Sequence, residues 1–318
     1  KVQALQFKLS RAAKQKLDRR FGALYDKIYR RDVLKEAWKR VRANKGAPGI
    51  DEQDFEWIEN VAGVGWFLDG IRRELKDRSY RATAVKRCWI EKPGKPEKRP
   101  LGIPIIRDRV IQMACKLVIE PIFEKNFLAC SYGFRPRHSA KQAILKIQRA
   151  ITHAGQTVIV DADIKGFFDN VDHDILMKLV QRRISDPRVL KLLRGWLEAG
   201  VMEDGVYEPP DGTGTPQGGV ISPLMANVYL HSLDKMFAES SGQFDKTFAA
   251  IGVMKEIQYK FSAQDHQLKE VQGGVTALQT DVTSGSNAVG EVVKSLGEKV
   301  GEHRKIFSTS IGLEQDPL

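Results

Sequence analysis

The stretch that decides the fold runs from Val158 to His173, with the sequence V-I-V-D-A-D-I-K-G-F-F-D-N-V-D-H. Its three opening residues are β-branched and favour a buried strand. Because side chains alternate along a strand, Asp161 and Asp163 point to the same face. Buried carboxylates need partners, and two oxygen ligands at this spacing suit a hard divalent cation such as Mg²⁺. The residues alone leave two interpretations open, a metal site or the wet polar face of a sheet.

Charge is distributed unevenly along the chain. The 318 residues carry 51 Lys and Arg against 40 Asp and Glu, a net charge of +11, which indicates a polyanionic partner such as nucleic acid. Residues 1–234 hold 42 basic and 29 acidic side chains, whereas residues 235–318 hold 9 and 11. All five Trp also lie in the first part. We therefore expect two regions of unlike character, with the change near residue 234.

Cysteine usage and hydropathy indicate a protein of a reducing compartment. Three Cys at wide spacing form no Cys-x-x-Cys pair, which argues against a disulfide framework or a zinc site. No apolar run approaches transmembrane length, and no signal-peptide pattern is visible. We expect a cytoplasmic protein without a membrane partner. Since the chain opens with Lys1 rather than Met, we expect its natural N-terminus to lie further upstream.

Apolar spacing predicts mostly helices. Residues 1–44 place apolar side chains at helical spacing, including Leu17, Phe21, Leu24 and Ile28, and predict two amphipathic helices. Their basic faces are either solvated surface or a nucleic-acid contact. Further helices are predicted over residues 57–76, 107–127, 140–151, 175–183, 189–198 and 224–237.

Short strands and special loops lie between these helices. Residues 80–90 and 101–104 predict two strands joined by a basic, proline-rich tip, and a second hairpin is predicted near residues 205–210. Residues 131–136 form a loop with two aromatic side chains beside an Arg, an arrangement that suits nucleotide contact or a packed turn. Residues 214–223 form a loop rich in Gly and Pro before a helix, where backbone N–H groups favour anions.

Five motifs in this order resemble one family. They are Lys45–Asp51, Arg99–Pro104, Tyr132–Pro136, Asp163–His173 and Thr215–Gly219. Together they resemble the reverse-transcriptase fingers and palm of group II intron-encoded proteins (maturases), over about residues 1–237. The resemblance implies an α/β right-hand polymerase body with fingers and a partial palm. It also implies an RNA-directed DNA polymerase that binds intron RNA and a primer–template, and adds dNMP from dNTP to a primer 3′-OH with two Mg²⁺ ions.

The same resemblance assigns roles near the opening stretch. Asp163 matches the first metal-binding, catalytic aspartate, and the Ile164 carbonyl is implied as a further Mg²⁺ ligand. Asp161 becomes a secondary, structural carboxylate. Phe168 matches the bulky residue that lies under the sugar and excludes a ribose 2′-OH.

Other roles fall on the hairpin and the glycine-rich loop. Lys92 and Arg99 match the residues that hold the triphosphate and stack near the base of the incoming nucleotide. Gln217 matches the glutamine that contacts that nucleotide, and Pro216 and Gly218 shape its loop and are candidate template or primer contacts. Arg135 is a further candidate contact with template or primer.

The chain also departs from the family. The family carries a paired-aspartate box, Tyr-x-Asp-Asp or a relative, downstream of the glutamine loop, whereas residues 220–318 contain no adjacent Asp pair. We therefore expect an incomplete active site and no polymerisation by this chain alone. The open alternatives are a non-catalytic RNA-binding module and an oligomeric scaffold.

The last segment, residues 238–318, has a different pattern. Apolar residues recur every seven positions from Met254 to Leu296, and others follow three positions later, as at Ile257 and Val271. This heptad pattern favours a parallel coiled coil and a possible homo-oligomer. Several glycines lower helix propensity, so amphipathic helices that fold back on the body are the alternative. A native segment and a fusion both remain open.

Overall fold

The computed structural model describes residues 1–91, 96, 98–154, 163–164, 166–215 and 218–240. All of these residues belong to one compact unit, Lys1–Met254. The helices before the first strand are α1 (Val2–Gln15), α2 (Tyr25–Ile28), α3 (Arg31–Ala43), α4 (Phe55–Trp57), a π-helix (Ile58–Ala62) and α5 (Val64–Asp77).

Helices and short strands alternate in the remainder of the described chain. The strands are β1 (Val85–Glu91), β2 (Lys98–Ile103), β3 (Val201–Glu203) and β4 (Val206–Glu208). The helices are α6 (Ile106–Phe123), α7 (Ala140–Ala154), a 3₁₀-helix (Phe167–Asn170), α8 (His173–Gln181), α9 (Pro187–Leu197) and α10 (Ser222–Ser240). This mixture confirms the predicted α/β class.

Helix α6 lies at the centre of the core. It contacts α1, α2, α3 and α10, and its side chains are buried on nearly every face, including Leu117, Ile119 and Ile122. A helix that is buried on nearly every face belongs in the interior of a protein rather than at its surface. Pro121 is accommodated near its C-terminal end. The other elements are therefore positioned around α6.

The four strands form one mixed sheet in the order β2-β1-β3-β4. Strands β1 and β2 are antiparallel, β1 and β3 are parallel, and β3 and β4 form an antiparallel hairpin. Asp204 and Gly205, at the tip of that hairpin, both have positive φ, +47° and +82°. An Asp-Gly pair at these angles matches the tight turn that joins strands of right-handed twist. Both predicted hairpins are thus confirmed.

The predicted helix through Leu17, Phe21 and Leu24 is wrong. Helix α1 ends at Gln15, and Leu17 is 55% exposed. The Phe21 N–H donates to the Arg183 carbonyl at 2.8 Å, and the Phe21 carbonyl accepts a hydrogen bond at 2.9 Å from the loop after α8. Tertiary hydrogen bonds therefore replace helical ones in this segment.

Two other predicted boundaries shift for local reasons. The helix predicted over residues 57–76 is interrupted at Gly63, which has φ +81°. The strand predicted from Tyr80 begins only at Val85, and before it the Thr83 N–H donates to the buried Asp108 carboxylate at 2.8 Å rather than to a neighbouring strand. The strand predicted at residues 158–160, Asp161 and the heptad segment lie outside the described residues. The domain boundary near residue 237 stays a prediction.

Candidate functional site

Two of the five motifs are joined by backbone hydrogen bonds. The Thr215 N–H donates to the Phe168 carbonyl at 2.8 Å, and the Gly214 N–H donates to the Val171 carbonyl at 2.9 Å. His173 adds a side-chain contact, with its Nε2 2.6 Å from the Gly214 carbonyl. The glycine-rich loop therefore lies directly beside the turn that follows Asp163.

The turn around Phe168 is short and tightly packed. Gly166 begins it with φ +61°, and the Asn170 side-chain amide donates back to the Gly166 carbonyl at 2.8 Å. The Phe168 ring is only 7% exposed and packs edge-to-face on Phe167. Its backbone conformation is thus well fixed, while its role as the residue that excludes a ribose stays a prediction.

A third motif, strand β2, approaches the same loop through Gly218. This glycine has φ +114°, and a Cβ placed on it lies 2.5 Å from the Gly102 carbonyl oxygen and 3.1 Å from the Leu101 side chain. Only a residue without a side chain permits this close approach. The end of the glycine-rich loop is therefore held against the strand that carries Arg99.

Helix α6 fixes the start of α10 through a buried glutamine. The Gln112 side-chain oxygen accepts hydrogen bonds from the Val220 N–H at 2.8 Å and the Ile221 N–H at 3.4 Å. Gln112 itself is 5% exposed. Sequence reasoning missed this residue. Its available signal was an amide side chain inside an otherwise apolar helical stretch.

A buried arginine of α6 holds the first motif. Arg109 donates from Nε to the Pro104 carbonyl at 2.6 Å and from a terminal nitrogen to the Ala47 carbonyl. A Cβ on Gly49 lies 2.7 Å from the Ile105 backbone, so the loop is pressed onto the start of α6. Burial lowers the pKa of Arg109. This residue was also missed, because Arg is ordinary in so basic a chain.

The Tyr132–Pro136 loop is tied to α10. The Asn227 side-chain amide donates to the Gly133 carbonyl at 2.9 Å. The buried Arg135 guanidinium pairs with Glu124 at 2.8 Å and donates to two backbone carbonyls of the surrounding loop, both at 2.6 Å. Through these contacts Arg135 stabilises the loop that contains it. Its contact with template or primer stays a prediction.

The structure describes only some of the remaining predicted site residues. Asp163 and Ile164 are exposed and precede the Phe168 turn, and Arg99 lies on β2 opposite Ile90. Lys92, Pro216 and Gln217 lie outside the described residues.

The oxygen donors at this position fit Mg²⁺ in kind. Asp163 supplies a carboxylate and Ile164 a carbonyl, and hard divalent cations prefer both ligand types. Within the described part of the chain, however, no group of three or more His, Cys, Asp and Glu could hold a metal ion. The ligand types at Asp163 and Ile164 therefore suit Mg²⁺. The described residues, however, supply too few ligands for a complete Mg²⁺ site.

The mixed α/β fold and the five motifs in this order define the class of protein, that of the right-hand polymerases. Residues 90–261 match the family described as "Reverse transcriptase (RNA-dependent DNA polymerase)", and the chain belongs to that family.

Its relatives among curated proteins include a group II intron-encoded protein. The chain is 34% identical over 270 residues to the group II intron-encoded protein LtrA of Lactococcus lactis subsp. cremoris, covering 84% of this chain and 44% of that protein. It is 36% identical over 243 residues to protein YkfC of Escherichia coli (strain K12), covering 75% of this chain and 63% of the relative. The chain thus spans only part of each relative.

A solved structure with similarity is a partial Cas6-RT-Cas1–Cas2 complex. The similarity covers 68% of this chain and 35% of that chain, at 23% identity and a TM-score of 0.44.

None of the described helices is long and apolar enough to cross a membrane.

Proposed function

We propose that residues 1–237 are the fingers and partial palm of a group II intron-type reverse transcriptase, which binds intron RNA and a primer–template and receives dNTP at the site above. One observation carries this proposal. The glycine-rich loop is packed between the Phe168 turn, through the Thr215 N–H, and strand β2, through Gly218. Motifs that are far apart in the sequence are therefore in contact, and this contact supports the proposal of a single site.

We assign a separate role to each of the chain's predicted residues at this site. Asp163 and the Ile164 carbonyl would hold a Mg²⁺ ion, which would supply charge neutralisation to phosphoryl transfer. Phe168 packs under the sugar and excludes a 2′-hydroxyl. Lys92 and Arg99 attract the triphosphate, and Gln217 donates or accepts hydrogen bonds at the nucleotide.

Polymerisation by this chain alone is not expected. The 318 residues contain no adjacent pair of aspartates, and in-line phosphoryl transfer uses two ions held by several carboxylates. With one family aspartate in place, we expect binding of RNA and nucleotide without dNMP transfer. A second chain that supplies the aspartate pair would complete the site.

A primer-extension assay with Mg²⁺ tests the expected lack of activity, and Asp163→Ala tests the site assignment if the wild-type chain extends the primer. The wild-type chain should bind the primer–template and leave the primer unextended. Extension at a rate that Asp163→Ala leaves unchanged would show that Asp163 is not the metal ligand. Extension that Asp163→Ala abolishes would instead confirm the ligand and refute the expected lack of activity.

A non-catalytic RNA-binding module is the second candidate, and helix α1 favours it. The helix contains no acidic residue, and Lys8, Arg11 and Lys14 are exposed on it. Phe7, 68% exposed, lies among them. Basic and aromatic side chains on one exposed surface suit a phosphate backbone with unpaired bases. In this candidate, residues 238–318 oligomerise the chain through the predicted coiled coil.

Salt-dependent RNA binding tests the module. Lys8→Gln with Arg11→Gln should lower the slope of log affinity against log salt by about two, because each lost phosphate contact removes about one. Lys35→Gln with Lys39→Gln, on exposed positions of α3, makes the same charge change and serves as the control. Equal effects of the two pairs would refute a specific role for α1. Sedimentation of the whole chain tests the oligomer, which a monomer would contradict.

A further inference from the structure

A small cavity lies between helix α6 and the glycine-rich loop. Its volume is about 20 Å³, which is enough for one water molecule. Most of the residues around it are buried, including Trp196 and Met225. Polar side chains line it as well, among them Asp108, Gln112 and Thr215. Cavities that stay empty are apolar, so the polar lining favours a cavity that holds water.

Thr215 supplies a buried hydroxyl that needs a partner. The residue is only 4% exposed, and within the described part of the chain its Oγ1 has no hydrogen-bond partner. Its N–H, by contrast, donates to the Phe168 carbonyl at 2.8 Å. A buried hydroxyl without a hydrogen bond is costly, and buried waters characteristically bond to such groups.

Asp108 can accept a further hydrogen bond. Its carboxylate accepts from the Tyr80 hydroxyl at 3.0 Å and the Thr83 N–H at 2.8 Å, and from Arg107 Nε at 3.4 Å. An ionised carboxylate offers about four lone-pair positions, so these donors leave one position open. Burial raises the pKa of Asp108 in spite of these donors, because the removal of the carboxylate from water outweighs their effect.

Helix α6 brings the polar groups to one side of the cavity. Asp108 and Gln112 are four residues apart on this helix, so their side chains are neighbours on the same face. Gln112 accepts from the Val220 N–H of the glycine-rich loop at 2.8 Å. Thr215, earlier in the same loop, lines the same cavity as Asp108 and Gln112. The loop therefore packs against the face of α6 that carries the Asp108 carboxylate.

We propose that this cavity binds one ordered water, which accepts a hydrogen bond from the Thr215 hydroxyl and donates one to the Asp108 carboxylate. The water gives both buried groups a partner. The glycine-rich loop is then attached to one turn of α6 at two points, through this water at Thr215 and through Gln112 at Val220. The inference goes beyond the proposed function, because it concerns how the loop is held rather than what binds to it.

Thr215→Val tests the water through the sign of its effect on stability. Valine has nearly the same shape as threonine and lacks the hydroxyl. If the hydroxyl has no partner, the substitution removes an unsatisfied buried polar group and should raise the melting temperature. If the water is bound, the substitution removes one of its hydrogen bonds, and the melting temperature of the whole chain should fall by about 2–4 °C. A rise, or no change, would overturn the proposal.

Thr152→Val is the matched control for the melting experiment. Thr152 is exposed on α7, and its hydroxyl donates to the Gln148 carbonyl at 3.0 Å. Because solvent can replace that hydrogen bond, the melting temperature should change by less than about 2 °C. A fall as large as that of Thr215→Val would count against the water, since it would show that the same exchange destabilises an exposed position equally.

A crystal structure of the whole chain, at a resolution that shows ordered water, locates the molecule directly. The wild type should show one water in the cavity, within hydrogen-bond distance of Thr215 Oγ1 and of an Asp108 carboxylate oxygen. Thr215→Ser keeps the hydroxyl and should keep the water, whereas Thr215→Val should lose it. An empty cavity in the wild type, or a water that does not contact Thr215, would show that the assignment is wrong.

Discussion

Replacing Asp186 with alanine should destabilise the protein more than any surface change, because this one carboxylate holds two distant segments. Asp186 is fully buried and lies at the N-cap of α9, where it accepts from the Arg188 N–H at 3.1 Å. Its other oxygen accepts from the Leu24 and Tyr25 N–H groups, both at 2.9 Å. These two donors lie more than 160 residues earlier, at the start of α2.

The expected magnitude follows from what Asp186→Ala leaves behind. Two backbone donors, Leu24 and Tyr25, lose their acceptor, and each stranded buried donor costs about 1–3 kcal/mol. Loss of the N-cap adds about 0.5–2 kcal/mol. The ion pair with the half-exposed Arg188 adds little. Because such costs are not additive, we expect a loss of about 3–5 kcal/mol in the free energy of unfolding.

The pKa of Asp186 provides a second, independent test. Burial alone would raise this pKa, but the hydrogen bonds from the Tyr25 and Leu24 N–H groups, together with those from Arg188, lower it. A depressed carboxyl pKa contributes stability above its unfolded value of about 3.9, and that contribution is lost as pH falls through the folded pKa. Asp186→Asn resembles the protonated acid. Its stability deficit should therefore be full at pH 7 and shrink below about pH 4.

Urea unfolding at pH 7 and at several acidic pH values measures both effects. Asp174→Ala is the matched control, since Asp174 is exposed and pairs with Arg194 at the surface, where such pairs contribute about 0–1 kcal/mol. A loss below about 1 kcal/mol for Asp186→Ala, or a deficit for Asp186→Asn that does not change with pH, would refute the reasoning.

Two further predictions concern the site and its surroundings. Gly218→Ala should lower the free energy of unfolding by about 1–3 kcal/mol, because the added Cβ meets the Gly102 carbonyl at 2.5 Å. Gly195→Ala, inside α9 with open space around it, should raise it by about 0.5–1 kcal/mol, and equal signs in urea unfolding would contradict this. His231 has its pKa lowered to about 4 by burial and by nearby Lys235. Wild-type stability should therefore fall by roughly 1–2 kcal/mol from pH 7 to 4.5, as the unfolded histidine takes up a proton, and His231→Phe should remove that part of the pH dependence.

Elements with strong local signals could be predicted from the sequence. Helix α10 follows a loop dense in Gly and Pro, and α7 shows clear apolar periodicity, so both were located within a few residues. The hairpin of β3 and β4 follows from its Asp204-Gly205 pair. In each case the decisive interactions lie within a few residues along the chain, which is the range that periodicity and turn chemistry report.

Segments fixed by distant partners could not be predicted. The residues from Lys16 to Leu24 have helical spacing, yet the Phe21 backbone pairs with the loop after α8. The same limit applies to the site. The five motifs could be recognised in the sequence. An amide among apolar residues marks Gln112 as unusual, but nothing in the sequence identifies the start of α10 as its partner, or the first motif as the partner of Arg109. Their partners lie far away in the sequence or have no distinctive side chain.

One turn of α6 sets the geometry of the whole candidate site. Asp108 accepts from the Tyr80 hydroxyl at 3.0 Å and the Thr83 N–H at 2.8 Å, at the entry to β1. Arg109 holds the first motif through the Ala47 carbonyl, and Gln112 holds the start of α10. All three are buried, and a buried polar group without a partner is costly. A shift of α6 by one residue would strand all three side chains at once. The same contacts that fix the register of the core helix therefore fix the relative positions of the motifs around it.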